Sequence, residues 1–596
     1  MPQVTIHQAI QLAVQHHRAG EFPQADSLYR QVLAQDPDNA DALHLLGVMA
    51  HEMGRQDVAV QLIRRAVALR PDFVEAHGNL GSILCAAGQF DLAIAAYQAA
   101  LKPRPDSPEF HIGLGHAFQG GGQIDEGLAC YRRALELARH HIGALTNLGN
   151  ALRVIGRLDE AVAAYRAALR YEPGAMEVHS ELLLTLHYDP AYEPAAIYQE
   201  HRHWYQQHAE SLRTLCGPHT NSRNPDRRLR IGYVSPDLCD HVVARFLLPL
   251  LTSHDHSQVE VFCYAPVPRP DDMADRLGAC AHHWKSLRGL TDQQAADLIR
   301  GDEIDILVDL AGHTPGHSLL VFARKPAPVQ VTWLGYPDTT GLPTIDYRFT
   351  DAFADPPGLT ESLHCEHLVR LPQTAWCFHP VGYTRPVGPL PSMGAGHITF
   401  GTFNNFAKVS QISLDLWARI LQQVPDSHLL LKGPALSSLE VISQLHQFFA
   451  GRGIAAQRLE LVPRDPSALG HLRWYDQMDI SLDTFPYHGT TTTCEALWMG
   501  VPVVTLTGQT HVSRVGVSLL SNMGLSDLVA DSPDRYVQIA VALGQDRLRL
   551  QELRSTLRQR MQLSPLMNAQ GFARNVEAAY RAMWRTWCFT PAAGGL

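Results

Sequence analysis

The chain has 596 residues and a net charge of -10, with 45% apolar and 18% charged residues, which is the composition of a globular protein long enough for several cores. The acidic balance and the lack of clustered Lys and Arg argue against a nucleic-acid partner, because phosphate backbones are bound by clustered cations. No basic segment leads into an apolar one at the start, no window offers about 18 consecutive apolar residues, and the ten cysteines form no C-x-x-C pair. We therefore expect a cytoplasmic protein with reduced thiols and no membrane partner.

The first part of the chain repeats with a period of 34 residues. Four series of residues keep this step: two series of glycines, one of small residues and one of large apolar residues. They are Gly20, Gly54, Gly88, Gly122 and Gly156; Gly47, Gly81, Gly115 and Gly149; Ala25, Ala59, Ala93, Gly127 and Ala161; and Tyr29, Ile63, Tyr97, Tyr131 and Tyr165. Such a unit, closed by a proline as at Pro37, looks like a tetratricopeptide repeat, which stacks into a superhelix with a concave binding surface. We predict these repeats over residues 1–173.

A helical pattern continues beyond the periodic part. It runs through residues 182–190 and through a His-, Trp- and Tyr-rich stretch at 198–207. We interpret residues 174–227 as closing helices and a linker, since a terminal repeat must cover the apolar face of its neighbour. The polar, turn-forming residues 218–227 mark the end of this segment.

The rest of the chain alternates short β-rich runs with segments of helical length. The runs lie at 229–235, 259–266, 304–310, 329–337 and 347–351, and then at 397–405, 427–433, 458–464, 478–484 and 501–508. Such alternation predicts parallel, doubly wound sheets. An irregular stretch at 380–396 divides them into two Rossmann-like lobes, residues 228–390 and 391–596. Ligands of such sheets bind beyond the carboxyl ends of the strands, so the cleft between the lobes is the expected site.

A loop of the second lobe, within residues 482–506, has the pattern of an anion site. A strand is followed by a turn with Gly489, and four threonines from Thr490 open a helix. Free N–H groups and hydroxyls at a helix start suit a diphosphate, and Glu495, one turn further, could accept hydrogen bonds from ribose hydroxyls. Helix capping is the simpler interpretation, but four consecutive threonines exceed what capping needs. No P-loop and no G-x-G-x-x-G after a strand is present.

Two further residues are expected in the cleft. His241 ends the segment GYVSPDLCDH after the first strand of the first lobe, where a histidine suits proton transfer or phosphate contact; a capping histidine is the alternative. Lys408, in TFNNFAKVS, offers a point charge for a leaving phosphate, although a lysine at such a position is by itself more often a solvated one. HCEH at 364–367 has metal-ligand residue types but lacks further partners, and Asp479 with Asp483 is not a D-x-D pair.

Together these motifs resemble the O-linked N-acetylglucosamine transferase and SPINDLY family of glycosyltransferases. The resemblance covers nearly the whole chain and rests on LRIGYVSPDLCDH, ARKPAPVQVTWLGYPDTTG, FGTFNNFAKVS and LDTFPYHGTTTT. It implies tetratricopeptide repeats followed by a GT-B glycosyltransferase with two Rossmann-like lobes, inverting and independent of metal or cofactor. It implies transfer of N-acetylglucosamine from UDP-GlcNAc to Ser or Thr of protein acceptors bound along the repeats.

The resemblance also implies roles for single residues. His241 matches the cleft histidine, a base or an orienting group, and Lys408 matches the lysine on the diphosphate. His471 matches a histidine stacked on uracil, and Glu495 the ribose carboxylate. The whole implied donor site comprises Asn405, Arg464, His471, Gly489, Thr490, Thr491, Thr492 and Glu495, with His313, Leu334, Gly335 and Pro337 near the sugar.

Several positions depart from the animal members of the family. Ala407 replaces a tyrosine and Thr490 a histidine, and RDPSALG at 464–470 differs in length. Of the asparagine ladder that grips acceptors, Asn79 and Asn147 remain. With few repeats the chain resembles a bacterial member. Two alternatives stay open: a fucosyltransferase that uses GDP-fucose, and a repeat scaffold with weakly active lobes.

Overall fold

A computed structural model describes residues 5–266, 271–380, 385–465 and 467–590. Residues 1–4 of the predicted repeats, 381–384 of the predicted linker, Pro466 of RDPSALG and the end of the predicted second lobe, 591–596, lie outside the described residues. The chain divides into two compact units, Met1–Leu152 with Ser437–Glu440, and Arg153–Leu436 with Val441–Leu596. In the described ranges no helix has both the length and the apolar character needed to cross a bilayer.

The repeat region consists of paired helices. Ten of them lie in the described residues before position 172: α1 (Ile6–Arg18), α2 (Phe22–Gln35), α3 (Ala40–Glu52), α4 (Gln56–Leu69), α5 (Val74–Ala86), α6 (Phe90–Leu101), α7 (Pro108–Gly120), α8 (Ile124–Leu137), α9 (Ile142–Val154) and α10 (Leu158–Tyr171). The first glycine series forms the turns inside the pairs, with φ of 75° at Gly20 and 79° at Gly54. Residues other than glycine rarely adopt this left-handed backbone conformation, which explains why glycine recurs at these turns.

The other series explain how the paired helices pack. A Cβ at Gly47 would lie 2.5 Å from Cγ1 of Ile63, and one at Gly81 would lie 2.7 Å from the ring of Tyr97, so glycine lets the helices approach closely. Tyr29 is fully buried in the repeat core. The predicted tetratricopeptide repeats are confirmed.

The next two helices pack on the first sheet. They are α11 (Met176–Leu186) and α12 (Pro194–His208). Leu183 of α11 and Trp204 and Tyr205 of α12 join the core of that sheet with residues such as Phe262. The segment that we interpreted as a cap of the repeats is therefore part of the first lobe's packing.

Within the described residues the first sheet has seven parallel strands, in the order β3-β2-β1-β4-β5-β6-β7. They are β1 (Leu229–Val234), β2 (Val259–Ala265), β3 (His283–Ser286), β4 (Ile306–Asp309), β5 (Val329–Thr332), β6 (Tyr347–Asp351) and β7 (His367–Leu371). The helices among them are α13 (Val242–Ser253), α14 (Asp272–Cys280), α15 (Asp292–Gly301) and α16 (Leu319–Ala323). All five predicted runs form strands; β3 and β7 were not predicted.

The second sheet has six parallel strands in the described residues, in the order β10-β9-β8-β11-β12-β13. They are β8 (Thr399–Thr402), β9 (His428–Lys432), β10 (Leu459–Val462), β11 (Ile480–Leu482), β12 (Val503–Leu506) and β13 (Val529–Ala530). Its helices are α17 (Ser392–Ala395), α18 (Gln411–Gln423), α19 (Leu439–Ala450), α20 (Ala468–Arg473), α21 (Thr491–Trp498), α22 (Val515–Asn522), α23 (Pro533–Gln545) and α24 (Arg547–Leu563).

The last described helix returns to the first lobe. This helix, α25 (Ala569–Phe589), buries Phe572, Tyr580 and Trp584 in the core of the first sheet. The hydroxyl of Tyr580 lies 3.2 Å from that of Tyr233 on β1. The predicted second lobe, residues 391–596, thus contains a helix that is packed on the first sheet.

Candidate functional site

A cavity of about 500 Å³ lies between the two lobes, beyond the carboxyl ends of their strands. We call it the interlobe cavity. Its wall contains residues from the loops that follow β1, β4, β5, β8 and β11. Of the residues predicted from the sequence, its wall includes His241, Leu334, Gly335, Pro337, Asn405, Lys408, Thr490, Thr491 and Thr492.

The loop that precedes α21 is held by one buried carboxylate. Oδ1 of Asp483 accepts hydrogen bonds from the N–H of Gly489 at 2.8 Å and from Nδ2 of Asn404 at 3.1 Å, and Oδ2 accepts from the hydroxyl of Thr505 at 2.8 Å. A Cβ at Gly489 would lie 2.6 Å from Oδ1 of Asn404, so only glycine fits this turn. The loop thus reaches the cavity in one fixed conformation.

The threonines of this loop do not serve capping alone. Thr490 is the N-cap residue of α21, yet its side chain makes no capping hydrogen bond. Thr492 donates to Oδ1 of Asn404, and Thr493 donates to the carbonyl of Gly489 at 3.0 Å. The start of α21 therefore presents backbone N–H groups and the Thr490 hydroxyl at the cavity wall, an arrangement suited to an anion.

Lys408 places a cation beside this helix start. Its Nζ donates to the carbonyl of His488 at 3.0 Å and lies 4.2 Å from the centre of the Tyr487 ring. Burial lowers the pKa of Lys408 to about 8, and the carboxylate of Asp483 opposes that shift. Lys408 is therefore a desolvated cation, and a bound anion would restore its charge above this pH.

His241 is the N-cap residue of α13 and also lines the cavity. Its Nδ1 accepts from the N–H of Val243 at 3.4 Å and lies 3.5 Å from Oδ1 of Asp237. In the tautomer whose Nδ1 accepts from Val243, Nε2 carries the proton and is a donor. In the other tautomer Nδ1–H donates to Asp237, and Nε2 is an acceptor. Capping and a polar contact in the cavity are thus compatible.

His471 and Glu495 form a pair next to the cavity wall rather than on it. Nε2 of His471 donates to Oε2 of Glu495 at 3.0 Å, and Nζ of Lys432 donates to Nδ1 of His471 at 2.6 Å. Arg245 of α13 approaches Oε1 of Glu495 at 3.7 Å. Glu495 lies one turn after the threonines, so this group of side chains lies further along α21 from the anion site. Arg464 is exposed after β10 and does not line the cavity.

Besides Arg464, His471 and Glu495, the predicted residues Gly489, His313, Asn79 and Asn147 lie outside the cavity wall. His313 is buried; its Nε2 donates to the carbonyl of Thr340 at 2.9 Å, and Ser180 lies 3.1 Å from its Nδ1. Burial places its pKa well below the usual value, so the neutral ring links α11 to the loop that follows β5. Asn79 and Asn147 are half-buried in the repeat unit, and Nδ2 of Asn79 lies 2.8 Å from Nε2 of His44.

The HCEH segment has a structural role. Nδ1 of His364 donates to the carbonyl of Thr360 at 2.9 Å. Glu366 accepts from the hydroxyl of Thr339 at 2.6 Å and from the N–H of Thr340 at 2.7 Å. These bonds support the loop that follows Pro337.

The structure adds cavity residues that the sequence did not indicate. Arg348 on β6 is buried and donates to the carbonyls of Tyr336 at 2.9 Å and Asp338 at 2.6 Å, while its Nε has no partner among the residues that the structure describes. His511 joins the wall and pairs with Asp355 at 2.6 Å, which together with nearby groups holds the pKa of that carboxyl far below its usual value. Further new wall residues are Tyr188, Asp237, Trp376, Asn404 and Tyr487.

Comparisons with known proteins agree with this architecture. The profile of glycosyl transferase family 41 matches residues 194–379 and 384–576, and tetratricopeptide repeat profiles match 11–72, 81–120 and 112–176. A protein of Petunia hybrida named "Probable UDP-N-acetylglucosamine--peptide N-acetylglucosaminyltransferase SPINDLY" is 42% identical over 431 residues, which are 70% of this chain and 45% of that protein. Its namesake in Oryza sativa is 43% identical over 427 residues, 70% of this chain and 46% of that protein.

A solved structure extends the likeness. A variant of the O-GlcNAc transferase of Thermobaculum terrenum superposes with a TM-score of 0.80 at 37% identity, covering 87% of this chain and 98% of that one. The chain spans about half the length of the curated relatives that it matches. Its helical repeats and two facing parallel sheets are those of the GT-B fold with N-terminal tetratricopeptide repeats. The chain belongs to glycosyl transferase family 41.

Proposed function

We propose that this chain transfers N-acetylglucosamine from UDP-GlcNAc to Ser or Thr hydroxyls of protein acceptors. One observation carries the proposal: Lys408 and the start of α21 meet at the wall of a cavity between two parallel sheets. That arrangement suits the diphosphate of a nucleotide sugar. The names of the family relatives and of the superposed structure support this donor and this acceptor class.

The proposed chemistry follows from the flow of charge. When the bond between C1 of the sugar and the phosphate breaks, its electron pair leaves with the diphosphate. Lys408 and the N–H groups of Thr491 and Thr492 then stabilise the negative charge that develops there. The acceptor hydroxyl attacks C1 from the opposite face, which inverts the configuration. Nε2 of His241 contacts the reacting groups, as an acceptor for the hydroxyl proton or as a donor that orients the sugar phosphate.

Replacement of His241 separates catalysis from folding. His241→Ala should lower kcat more than donor affinity if the ring orients the reacting groups. His241→Asn is the matched control, because asparagine is a good N-cap and keeps the acceptor for Val243 N–H. We expect the asparagine variant to keep the thermal stability of the wild type and to lose turnover as the alanine variant does. Wild-type turnover in His241→Asn would show that His241 serves only as a helix cap. Steady-state kinetics measure the turnover, and thermal unfolding measures the stability.

We propose that transfer needs no divalent ion. Lys408 and the start of α21 supply positive charge where a metal would otherwise neutralise the diphosphate. Turnover should therefore be the same, within about twofold, in excess EDTA and in Mg²⁺ or Mn²⁺. Activity that disappears with EDTA and returns with Mn²⁺ would contradict this mechanism and direct attention to carboxylates near the cavity, such as Asp237.

The donor proposal is tested by comparing nucleotides. His471, held between Lys432 and Glu495, is proposed to stack on uracil, while Glu495 accepts from the ribose. A purine would exceed this space and leave edge groups unpaired, so we expect UDP to bind about tenfold or more tightly than GDP, about 1.4 kcal/mol. His471→Ala should remove most of that preference. Calorimetric titration of both nucleotides into both proteins is the measurement, with UMP as a control for the diphosphate.

Two outcomes would favour the alternatives. Equal binding of GDP and UDP would favour a fucosyltransferase that uses GDP-fucose. UDP-GlcNAc binding without transfer or hydrolysis would favour a repeat scaffold with weakly active lobes. Against the scaffold stands the wall of the interlobe cavity, where Lys408, His241 and the start of α21 are all present.

We further propose that protein acceptors bind along the repeats and that the protein acts in the cytoplasm. The repeat fold supports the first point, because such arrays offer extended binding surfaces. Nδ2 of Asn79 contacts His44. Gly113 occupies the repeat position equivalent to Asn79 and Asn147, and a Cβ there would lie 2.4 Å from the Tyr97 ring. Acceptor contacts would therefore differ from a regular asparagine ladder. All ten cysteines are free thiols, which supports a reducing compartment.

A further inference from the structure

The histidine-rich stretch of α12 contains polar residues that do not belong to the interlobe cavity. It brings Glu200 and His203, one helical turn apart, next to His179 of α11. Oε1 of Glu200 lies 3.0 Å from Nε2 of His179 and 3.2 Å from Nδ1 of His203. One ligand atom from each of these residues lies within 4.8 Å of the other two. We call these three residues the α11–α12 cluster.

This spacing is close to that of a metal site as well as to that of hydrogen bonds. In a tetrahedral zinc site with bonds of about 2.1 Å, neighbouring ligand atoms are about 3.4 Å apart. The two distances to Oε1 of Glu200 are slightly shorter, so small side-chain rotations would admit the ion. Two imidazoles and one carboxylate form a ligand set that zinc sites use, with the fourth position open to water.

The exposure of the three groups gives an ion a path from solvent. The His179 side chain is 3% exposed, that of Glu200 27% and that of His203 59%. The cluster thus combines a buried inner histidine, a partly exposed carboxylate and an accessible outer histidine.

A second layer of contacts favours metal binding as well. Nδ1 of His179 lies 3.1 Å from Nε2 of His208, also on α12. At this distance Nε2 of His208 can accept a hydrogen bond from Nδ1–H of His179. Histidines that bind metals usually donate their other N–H to such an acceptor, which fixes the ring and raises its basicity. Here Nε2 of His179 is left for the ion.

We propose that His179, Glu200 and His203 form a zinc site that fastens α11 to α12. The site is separate from the interlobe cavity, because none of the three residues lines it. Its role is structural: zinc bound by both helices stabilises the pair whose Trp204 and Leu183 fill the core of the first sheet. Zinc should therefore raise the stability of the lobes without taking part in sugar transfer.

A second group, His187, His201 and Asp338, has similar residue types but different contacts. The hydroxyl of Tyr336 lies 3.0 Å from Nε2 of His187 and 2.9 Å from Nε2 of His201. Both histidines are buried, so an ion would have to displace Tyr336 in the interior. This group therefore serves as the comparison for the α11–α12 cluster.

The test is a zinc titration of the full-length protein after chelator treatment, at neutral pH, in competition with a chromophoric zinc indicator. We expect one tight zinc per chain. Glu200→Gln keeps the size of the side chain and an acceptor for His179, and should weaken that zinc by about tenfold or more; His203→Ala should do the same. Gln206→Ala, exposed on the same helix, is the control and should bind as the wild type does.

Thermal unfolding supplies a second readout. Zinc should raise the Tm of the wild type and of Gln206→Ala but leave that of Glu200→Gln unchanged, since ligand binding to the folded state stabilises it. The proposal is overturned if the wild type binds no zinc more tightly than Glu200→Gln does. It is also overturned if zinc binding is lost in His201→Ala and kept in Glu200→Gln and His203→Ala, which would assign the ion to the second group.

Discussion

Lys408→Ala is expected to lower the rate of sugar transfer by about 10²–10³-fold, or about 3–4 kcal/mol of barrier. The ammonium lies within the cavity wall, between the carbonyl of His488 and the ring of Tyr487. Charge develops on the diphosphate only as the sugar leaves, so a cation at this place stabilises the transition state more than the bound donor. We therefore expect a larger loss in kcat than in affinity for UDP-GlcNAc.

Two substitutions control this experiment. Lys408→Arg keeps the charge but not the compact ammonium, and should recover part of the lost rate. Lys102→Ala removes an exposed lysine of the repeats and should leave turnover unchanged. Transfer by Lys408→Ala at more than about one tenth of the wild-type rate would show that the lysine is not a major stabiliser of the leaving group.

The pH dependence of nucleotide binding checks the same residue. Because burial lowers the pKa of Lys408 to about 8, the free protein carries the ammonium below pH 8 and loses it above. Binding of a diphosphate favours the charged form, so above pH 8 a proton must be taken up and UDP affinity should fall about tenfold per pH unit. Calorimetry between pH 7 and 9 measures this. In Lys408→Ala the decline should be absent.

The strands that the sequence predicted are mainly the central ones. Parallel strands buried on both faces have mainly apolar sequences, as in β1, β4 and β12. The strands that were not predicted, β3, β7 and β13, lie at sheet edges. In β3, His283–Ser286, burial alternates with exposure, and its polar residues give no apolar run to detect. The fourth edge strand of the described sheets, β10, was predicted because its segment LELV offers apolar residues that a pattern can detect.

The residues of the candidate site also divide into those that the sequence could predict and those that it could not. Residues that directly follow central strands could be placed, because the carboxyl ends of parallel strands meet at one edge of a sheet. His241, Lys408 and Thr490 all lie on the cavity wall by this logic. Arg348 and Tyr188 could not be placed in advance: one reaches the cavity from within β6 and the other from the segment after α11. Their positions depend on how the two lobes and α11 pack, which no local pattern encodes.

Substitution of Asp483, which holds the loop before α21, should be as damaging as substitution of a residue in the cavity wall. Asp483→Ala is expected to destabilise the lobes by about 3 kcal/mol or more, because it leaves the N–H of Gly489 and the side chains of Asn404 and Thr505 without their acceptor in a dry interior. Loss of this bond network would also free the loop that carries the threonines. We therefore expect Asp483→Ala to weaken UDP binding and to lower the Tm. Asp531→Ala, exposed at the end of β13, should change stability by no more than about 0.5 kcal/mol.

Asp483→Asn separates the charge of this residue from its hydrogen bonds. Oδ1 still accepts from Gly489, and the new amide can donate to the hydroxyl of Thr505, so most of the stability should remain. The carboxylate that opposes the lowered pKa of Lys408 is gone, however, so that pKa should fall further. The decline of UDP affinity with rising pH should then begin below pH 8 in Asp483→Asn. A decline that begins at the same pH as in the wild type would show that Asp483 supports the loop without tuning the lysine.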